Sequence, residues 1–155
     1  MAGLEFSAAG IQIACTDTVG TKLGVKAAAN HPVKVYGFWW SFDGTDSTDG
    51  PALIEVGNCT FASNGPGTNS TSVTPYSTNG RTETIQATAG KTWTAEPTVI
   101  TVARAVTLPT YMGTATIFFP FARPILVPGA AGLVLRITLP ASVTCNFTGA
   151  LDCEE

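Results

Sequence analysis

The most regular alternation in the chain is Leu133-Val134-Leu135-Arg136-Ile137-Thr138-Leu139. Side chains alternate faces along an extended backbone, so Leu133, Leu135, Ile137 and Leu139 share one face and Arg136 and Thr138 the other. This predicts a half-buried strand of an antiparallel sheet. Runs rich in Val, Ile, Thr and aromatic residues recur at 11–15, 22–28, 32–42, 51–61, 81–87, 91–95, 99–107, 114–121, 125–127 and 143–148. Residues 35–42 and 117–121 are apolar at successive positions, which predicts strands covered on both faces. Turn residues punctuate the runs, among them Asp43-Gly44, Asn79-Gly80 and Ala89-Gly90. No segment combines helical apolar spacing with a cap. About eight to ten short strands at regular intervals predict an all-β fold, a two-sheet antiparallel β-sandwich of jelly-roll-like or Greek-key type.

The expected organisation is an N-terminal arm at 1–10 and a single sandwich domain over 11–155, with a long loop at 63–80 and a tail after 148. The loop is the longest stretch without an apolar pattern, and loops of that length are usually functional or mobile. Composition supports the β reading: charged residues make up only 12% of the chain, about half the usual share. Thr, Ser, Asn and Gly carry the polarity instead, and all four are poor in helix interiors. The net charge is -3, and no run of Lys or Arg occurs. A phosphate backbone or an anionic membrane is therefore not an expected partner. The N-terminus lacks the pattern of a secretory signal, and no apolar stretch approaches the roughly 20 residues that span a bilayer. The chain is expected to be made and used without crossing a membrane.

Catalytic chemistry finds little support. His31 is the only histidine, it precedes Pro32, and no Gly-x-Ser-x-Gly elbow accompanies it. No catalytic residue and no cofactor is expected. Cys15, Cys59, Cys145 and Cys153 form no C-x-x-C pair and have no neighbouring histidine, so they are expected as free, mostly buried thiols. A disulfide such as Cys145–Cys153 is the alternative. Asp43, Asp46 and Asp49 form one acidic cluster that offers oxygen ligands to a hard cation. Its spacing is not that of an EF-hand, and a solvated turn is the simpler reading.

Trp39 and Trp40 are adjacent, as are Phe118 and Phe119. Neighbours on a strand point to opposite faces, so the two indoles cannot form one platform for a sugar ring. One residue of each pair enters the core and the other needs a cover, from a loop or from a partner. Trp40, Phe118 and Phe119 are the candidates for an interface between copies.

The run Phe38-Trp39-Trp40-Ser41-Phe42-Asp43-Gly44-Thr45 followed by Pro51-Ala52-Leu53-Ile54-Glu55-Val56 resembles a set of small virion proteins of tailed bacteriophages. Trp93-Thr94-Ala95-Glu96-Pro97-Thr98, Phe119-Pro120-Phe121-Ala122-Arg123-Pro124-Ile125, Gly132-Leu133-Val134-Leu135-Arg136-Ile137-Thr138 and Glu154-Glu155 extend the likeness. The resemblance implies a head decoration (cement) protein that binds the outer capsid surface and reinforces joints between major capsid subunits. Such proteins often act as trimers. The implied partners are the major capsid protein and further copies of the chain, with assembly in the host cytoplasm. The pattern carries no catalytic residues. Leu4 and Phe6, in the arm, are the candidate capsid contacts, since a terminal segment can order on binding. The alternative is a carbohydrate- or receptor-binding jelly roll of a fibre or lectin-like protein. It predicts an exposed aromatic beside polar loop residues, with an ion at Asp43, Asp46 and Asp49. A hydrolase on a β-sandwich ranks behind both for want of a base.

Overall fold

A computed structural model describes residues 3–16, 19–118 and 123–155. In chain order its strands are β1 (Glu5–Cys15), β2 (Val19–Lys26), β3 (Val33–Phe42), β4 (Ala52–Thr60), β5 (Thr71–Val73), β6 (Tyr76–Ser77), β7 (Thr88–Lys91), β8 (Thr98–Leu108), β9 (Thr114–Phe118), β10 (Ile125–Val127), β11 (Gly132–Thr138) and β12 (Cys145–Glu154). One sheet runs β10-β3-β12-β1-β6, with β9 also on β3; the other runs β5-β7-β2-β11-β4-β8. Every ladder is antiparallel. The two sheets pack face to face, so the chain is an all-β, two-sheet antiparallel sandwich. No two consecutive strands pair with each other, and β1 to β4 alternate between the sheets. Among the described residues no helix is long and apolar enough to cross a membrane.

The core lies between the sheets. β12 and β3 contribute Phe147, Leu151, Phe38, Trp40 and Phe42; β2, β4 and β11 answer with Leu23, Val25, Ile54, Val56, Leu133, Leu135 and Ile137. Each such side chain stabilises the fold by roughly 1.5–3 kcal/mol on burial. β11 alternates as predicted, but it is not bare on its second face. Val134 joins a smaller cluster outside the sheet with Cys59, Phe61 and Trp93. The Phe61 and Trp93 rings stack at 6.0 Å, and Trp93 Nε1 donates to the Asn64 carbonyl at 2.8 Å.

β3 departs from expectation in the opposite direction. Residues 35–42 read as covered on both faces, yet Lys34 and Trp39 are exposed on the outer face. The cause is a bulge: Asp152 pairs with Gly37 and Cys153 with Val35, so Tyr36 has no partner in the ladder with β12. An extra residue shifts the inward phase from Val33 and Val35 to Phe38, Trp40 and Phe42. The run is apolar at successive positions because two phases are joined in it.

Four further expectations are corrected. The arm is not free, since from Glu5 to Gly10 it is the first half of β1, in register with Glu154 to Gly149. Phe6 and Ser7 also pair with β6, and Leu4, Phe6 and Ala8 are buried, Phe6 with only 1% of its surface exposed. The tail after 148 belongs to β12, a central strand between β1 and β3. Residues 81–87 form no strand; the Glu155 carboxylate instead accepts the N–H groups of Gln86 at 2.7 Å and Ala87 at 2.9 Å. The segment 63–80 holds two short strands, one on each sheet.

Tyr36 Oη donates to the Glu154 carboxylate, which also takes Lys34 Nζ at 3.3 Å. That hydrogen bond, aided by burial and the Glu154 charge, raises the Tyr36 phenol from 10.0 to about 12. The same bond is the main force holding the Glu154 carboxyl below its ordinary 4.5. A raised phenol favours the fold fully below its unfolded value and loses that contribution as pH rises through the folded one. Stability is therefore expected to fall between pH 10.0 and about 12. The depressed Glu154 carboxyl contributes above its ordinary 4.5 and loses its share as pH falls below that. Tyr36→Phe should remove the alkaline decline and cost about 1 kcal/mol at neutral pH. Urea midpoints across the pH range check both.

Candidate functional site

The sandwich has two unlike sides. On one, the segment 63–80 closes the gap between the sheets: β5 pairs with β7 at the edge of one sheet, and β6 pairs with β1 at the edge of the other. Asn69 Nδ2 donates to Asn64 Oδ1 at 2.6 Å, Asn64 Nδ2 to the Glu96 carbonyl at 2.8 Å, and Thr94 N to the Asn69 carbonyl at 2.8 Å. Edges capped by such short strands offer little to a foreign strand.

The other side is open. β8 is an edge strand of 11 residues whose partner in the sheet, among the described residues, is β4 alone. Both faces of β8 are largely solvent-accessible; Val99 is 70% exposed and Val102 also lies open. Arg104 is its one charged residue. The register with β4 skips Val99 and Ala103, so two bulges bend the strand. β9 and β10 form the corresponding edge of the facing sheet, and Trp39 and Leu126 lie exposed nearby on β3 and β10. Between the sheets at this side a cavity of about 70 Å³ is lined by Phe38, Trp40, Ile54, Val56 and the β8 residues Arg104, Ala105 and Val106.

The predicted interface residues fall elsewhere. Trp40 is a core residue, 1% exposed and stacked on Phe38 at 5.1 Å; its Nε1 has no hydrogen-bond partner. Trp39, at 37% exposure, is the outward member of the pair. The β3 bulge inverted the choice, and nothing in the local pattern announces it. Leu4 and Phe6 are likewise core residues. Phe118 pairs with Gly37 through its backbone; its side chain and Phe119 lie outside the described residues.

The acidic cluster is spread over separate tasks. Asp43 accepts the Asn146 N–H at 2.6 Å and Nδ2 at 2.9 Å, and these bonds hold its carboxyl below the usual range. Asp46 accepts the N–H and hydroxyl of Thr48 at 2.8 and 2.7 Å, an Asx turn. Among the described residues no three His, Cys, Asp or Glu side chains gather as a metal site. All four cysteines are buried and none is in a disulfide among the described residues, and burial pushes Cys59 up to about 12. Cys145 and Cys153 sit on one strand, roughly 26 Å apart at the rise of an extended chain, so they cannot bridge. Cys15 faces Cys145 across the β1–β12 ladder. His31 is exposed in a polar groove with Arg81, Glu83, Gln86 and Glu155.

A second feature was not foreseen. The connection 109–113 from β8 to β9 is fastened to the end of β3 and the turn after it: Phe42 N donates to the Gly113 carbonyl at 2.9 Å and Gly44 N to the Thr110 carbonyl at 3.0 Å. A Cβ at Gly44 would lie 2.5 Å from the Thr110 oxygen, so only glycine permits this approach. The fastened loop presents Tyr111 and Met112 outward, 44% and 71% exposed. They border an open groove of about 590 Å³ with Phe42, Asp43, Gly44, Thr45 and Thr114. Pro109 and Gly113 mark the turn in the sequence; two large apolar residues between them were the available signal. Gly44→Ala is expected to push the loop away at a cost of roughly 1–3 kcal/mol, read as a lower urea midpoint with faster hydrogen exchange at the Gly44 amide.

No protein-family model matches the chain, and no curated protein matches it.

Proposed function

We propose that the chain is a capsid decoration (cement) protein, a non-catalytic module that binds the outer surface of a phage head and reinforces joints between major capsid subunits as a homotrimer. The observation that carries this reading is the asymmetry of the sandwich. One pair of sheet edges is closed by the chain's own strap, while the other pair carries the bare rim of β8 and the apolar residues Val99, Val102, Trp39 and Leu126. A free rim of N–H and C=O groups binds an added strand. The bulges at Val99 and Ala103 make the rim a poor template for an arbitrary flat strand and so favour a shaped partner.

The remaining features suit the role. A clamp across a joint stabilises the shell by mass action, because it binds only the assembled form. It needs a rigid body and a low-charge contact, and no reactive group. The residues that resemble those of phage virion proteins fall on β3, the turn after it, β4, β11 and the end of β12, with others in the connection 93–98 and before β10. The reading places the protein on the virion surface, assembled there in the host cytoplasm. Light scattering at two concentrations tests the self-association. A mass three times that of the chain, unchanged on dilution, is expected, and a monomer at both concentrations contradicts the trimer.

A further inference from the structure

We infer that the groove between the Asp43 turn and the 109–113 loop is a binding site for a neutral sugar ring, a terminal pyranoside of a glycan. The inference goes beyond the capsid role and does not depend on it.

The groove is built from rigid parts. Its outer wall is the loop fastened by Phe42 N and Gly44 N, and its other wall is the turn in which both oxygens of Asp43 are oriented by Asn146. A site held in this way loses little freedom when a ligand enters. Tyr111 supplies an aromatic ring at 44% exposure, and Met112 adds a polarisable thioether beside it. Asp43 adds a charged carboxylate acceptor to the lining. Thr45 and Thr114 supply hydroxyl groups at the rim.

This set selects among ligands. The groove is open, and its volume of about 590 Å³ leaves room for one sugar ring. An exposed aromatic ring, a carboxylate and hydroxyl-bearing residues along one groove match a molecule with a C–H face and a rim of hydroxyl donors, which is a pyranose. Asp43 lines the groove and, among the described residues, no Lys or Arg does, so a phosphate or an anionic sugar meets repulsion. A peptide in extended form would seek backbone donors, and those of Phe42 and Gly44 are already spent on the loop. The tryptophans that first suggest sugar binding take no part: Trp40 is in the core, and neither indole lines the groove.

The test uses the full chain labelled with nitrogen-15, titrated with methyl β-galactopyranoside, methyl α-glucopyranoside and methyl N-acetyl-β-glucosaminide. At least one glycoside should shift the amides of Asp43, Gly44, Thr45, Tyr111 and Met112 saturably, with a dissociation constant on the order of 1 mM for a ligand of about a dozen non-hydrogen atoms. Tyr111→Ala should weaken it about tenfold, and Tyr111→Phe should retain it, because the ring face and not the hydroxyl stacks. Tyr111 is exposed on a loop, so the dispersed spectrum of the variant should remain that of the folded chain. Absence of saturable shifts with all three glycosides overturns the inference, as does equal affinity in Tyr111→Ala. Loss of head binding in Tyr111→Ala, with no glycoside bound by the wild type, would assign the groove to a protein contact instead.

Discussion

Removal of residues 2–10 is expected to unfold the domain rather than release a flexible arm. The deletion takes the ladder from Glu5 to Gly10 off β12 and the pairing of Phe6 and Ser7 off β6. It also removes Leu4 and Phe6 from the core. Those two side chains alone contribute roughly 3–6 kcal/mol at about 1.5–3 kcal/mol each. The loss extends to β12, where Leu151 loses its cross-strand neighbour Ala8 and Cys153 loses Phe6, and to β6, which leaves the strap anchored on one sheet only. A domain of this size has about 5–15 kcal/mol of net stability, so the deletion is of the same order as the whole. Near-ultraviolet circular dichroism and urea unfolding report it. A truncated chain that unfolds cooperatively near the wild-type midpoint would show that the first half of β1 is dispensable.

The second large effect is expected at β8 and in binding alone. Val99→Lys combined with Val102→Lys places two charges on an exposed edge strand. Such surface changes typically alter stability by about 0.5 kcal/mol or less, and a lysine on a sheet edge is a natural guard against strand addition. If β8 carries the contact, the double variant should retain its fold and lose head binding by at least about thirtyfold, the effect of removing a central apolar anchor worth about 2 kcal/mol. Titration of heads with fluorescently labelled protein measures this. A variant that binds as the wild type does would move the contact to another surface, with Trp39 and Leu126 as the next positions to charge.

The sequence announced the sheets better than it announced their arrangement. β10 lies where the pattern put it, and β11 and β4 lie within one residue or so, because each is a run of β-branched and aliphatic residues bounded by turn residues. The pairing was not legible. No consecutive strands form a hairpin, so no turn signal carries register, and every ladder joins segments separated in the chain by a strand or more. The pattern starts β1 only at 11, because its first half alternates Phe6, Ala8 and Gly10 with Ser7 and Ala9, too small and mild a set to stand out. It ends β12 at 148 for a similar reason: Gly149 and Ala150 interrupt the apolar run, and the closing acidic pair reads as a solvated tail.

The candidate surfaces were legible in kind more than in place. The expectation that one tryptophan of the pair is inward and the other outward follows from the strand period, and the structure agrees with it. Which one is inward depends on the bulge at Tyr36, a tertiary feature set by β12 a hundred residues away. The aromatic beside polar loop residues exists, but as Tyr111 over the Asp43 turn. A five-residue loop between two strands carries no periodicity, so the sequence pattern does not mark it.

The proposed role is decoration of a phage capsid, and its most direct test is co-sedimentation with expanded, empty heads of any tailed phage found to encode the chain, prepared without the protein. The account predicts saturable binding at a fixed number of copies per head, together with a higher temperature of head rupture. A protein that stays in the supernatant at every concentration, with the rupture temperature unchanged, would contradict it.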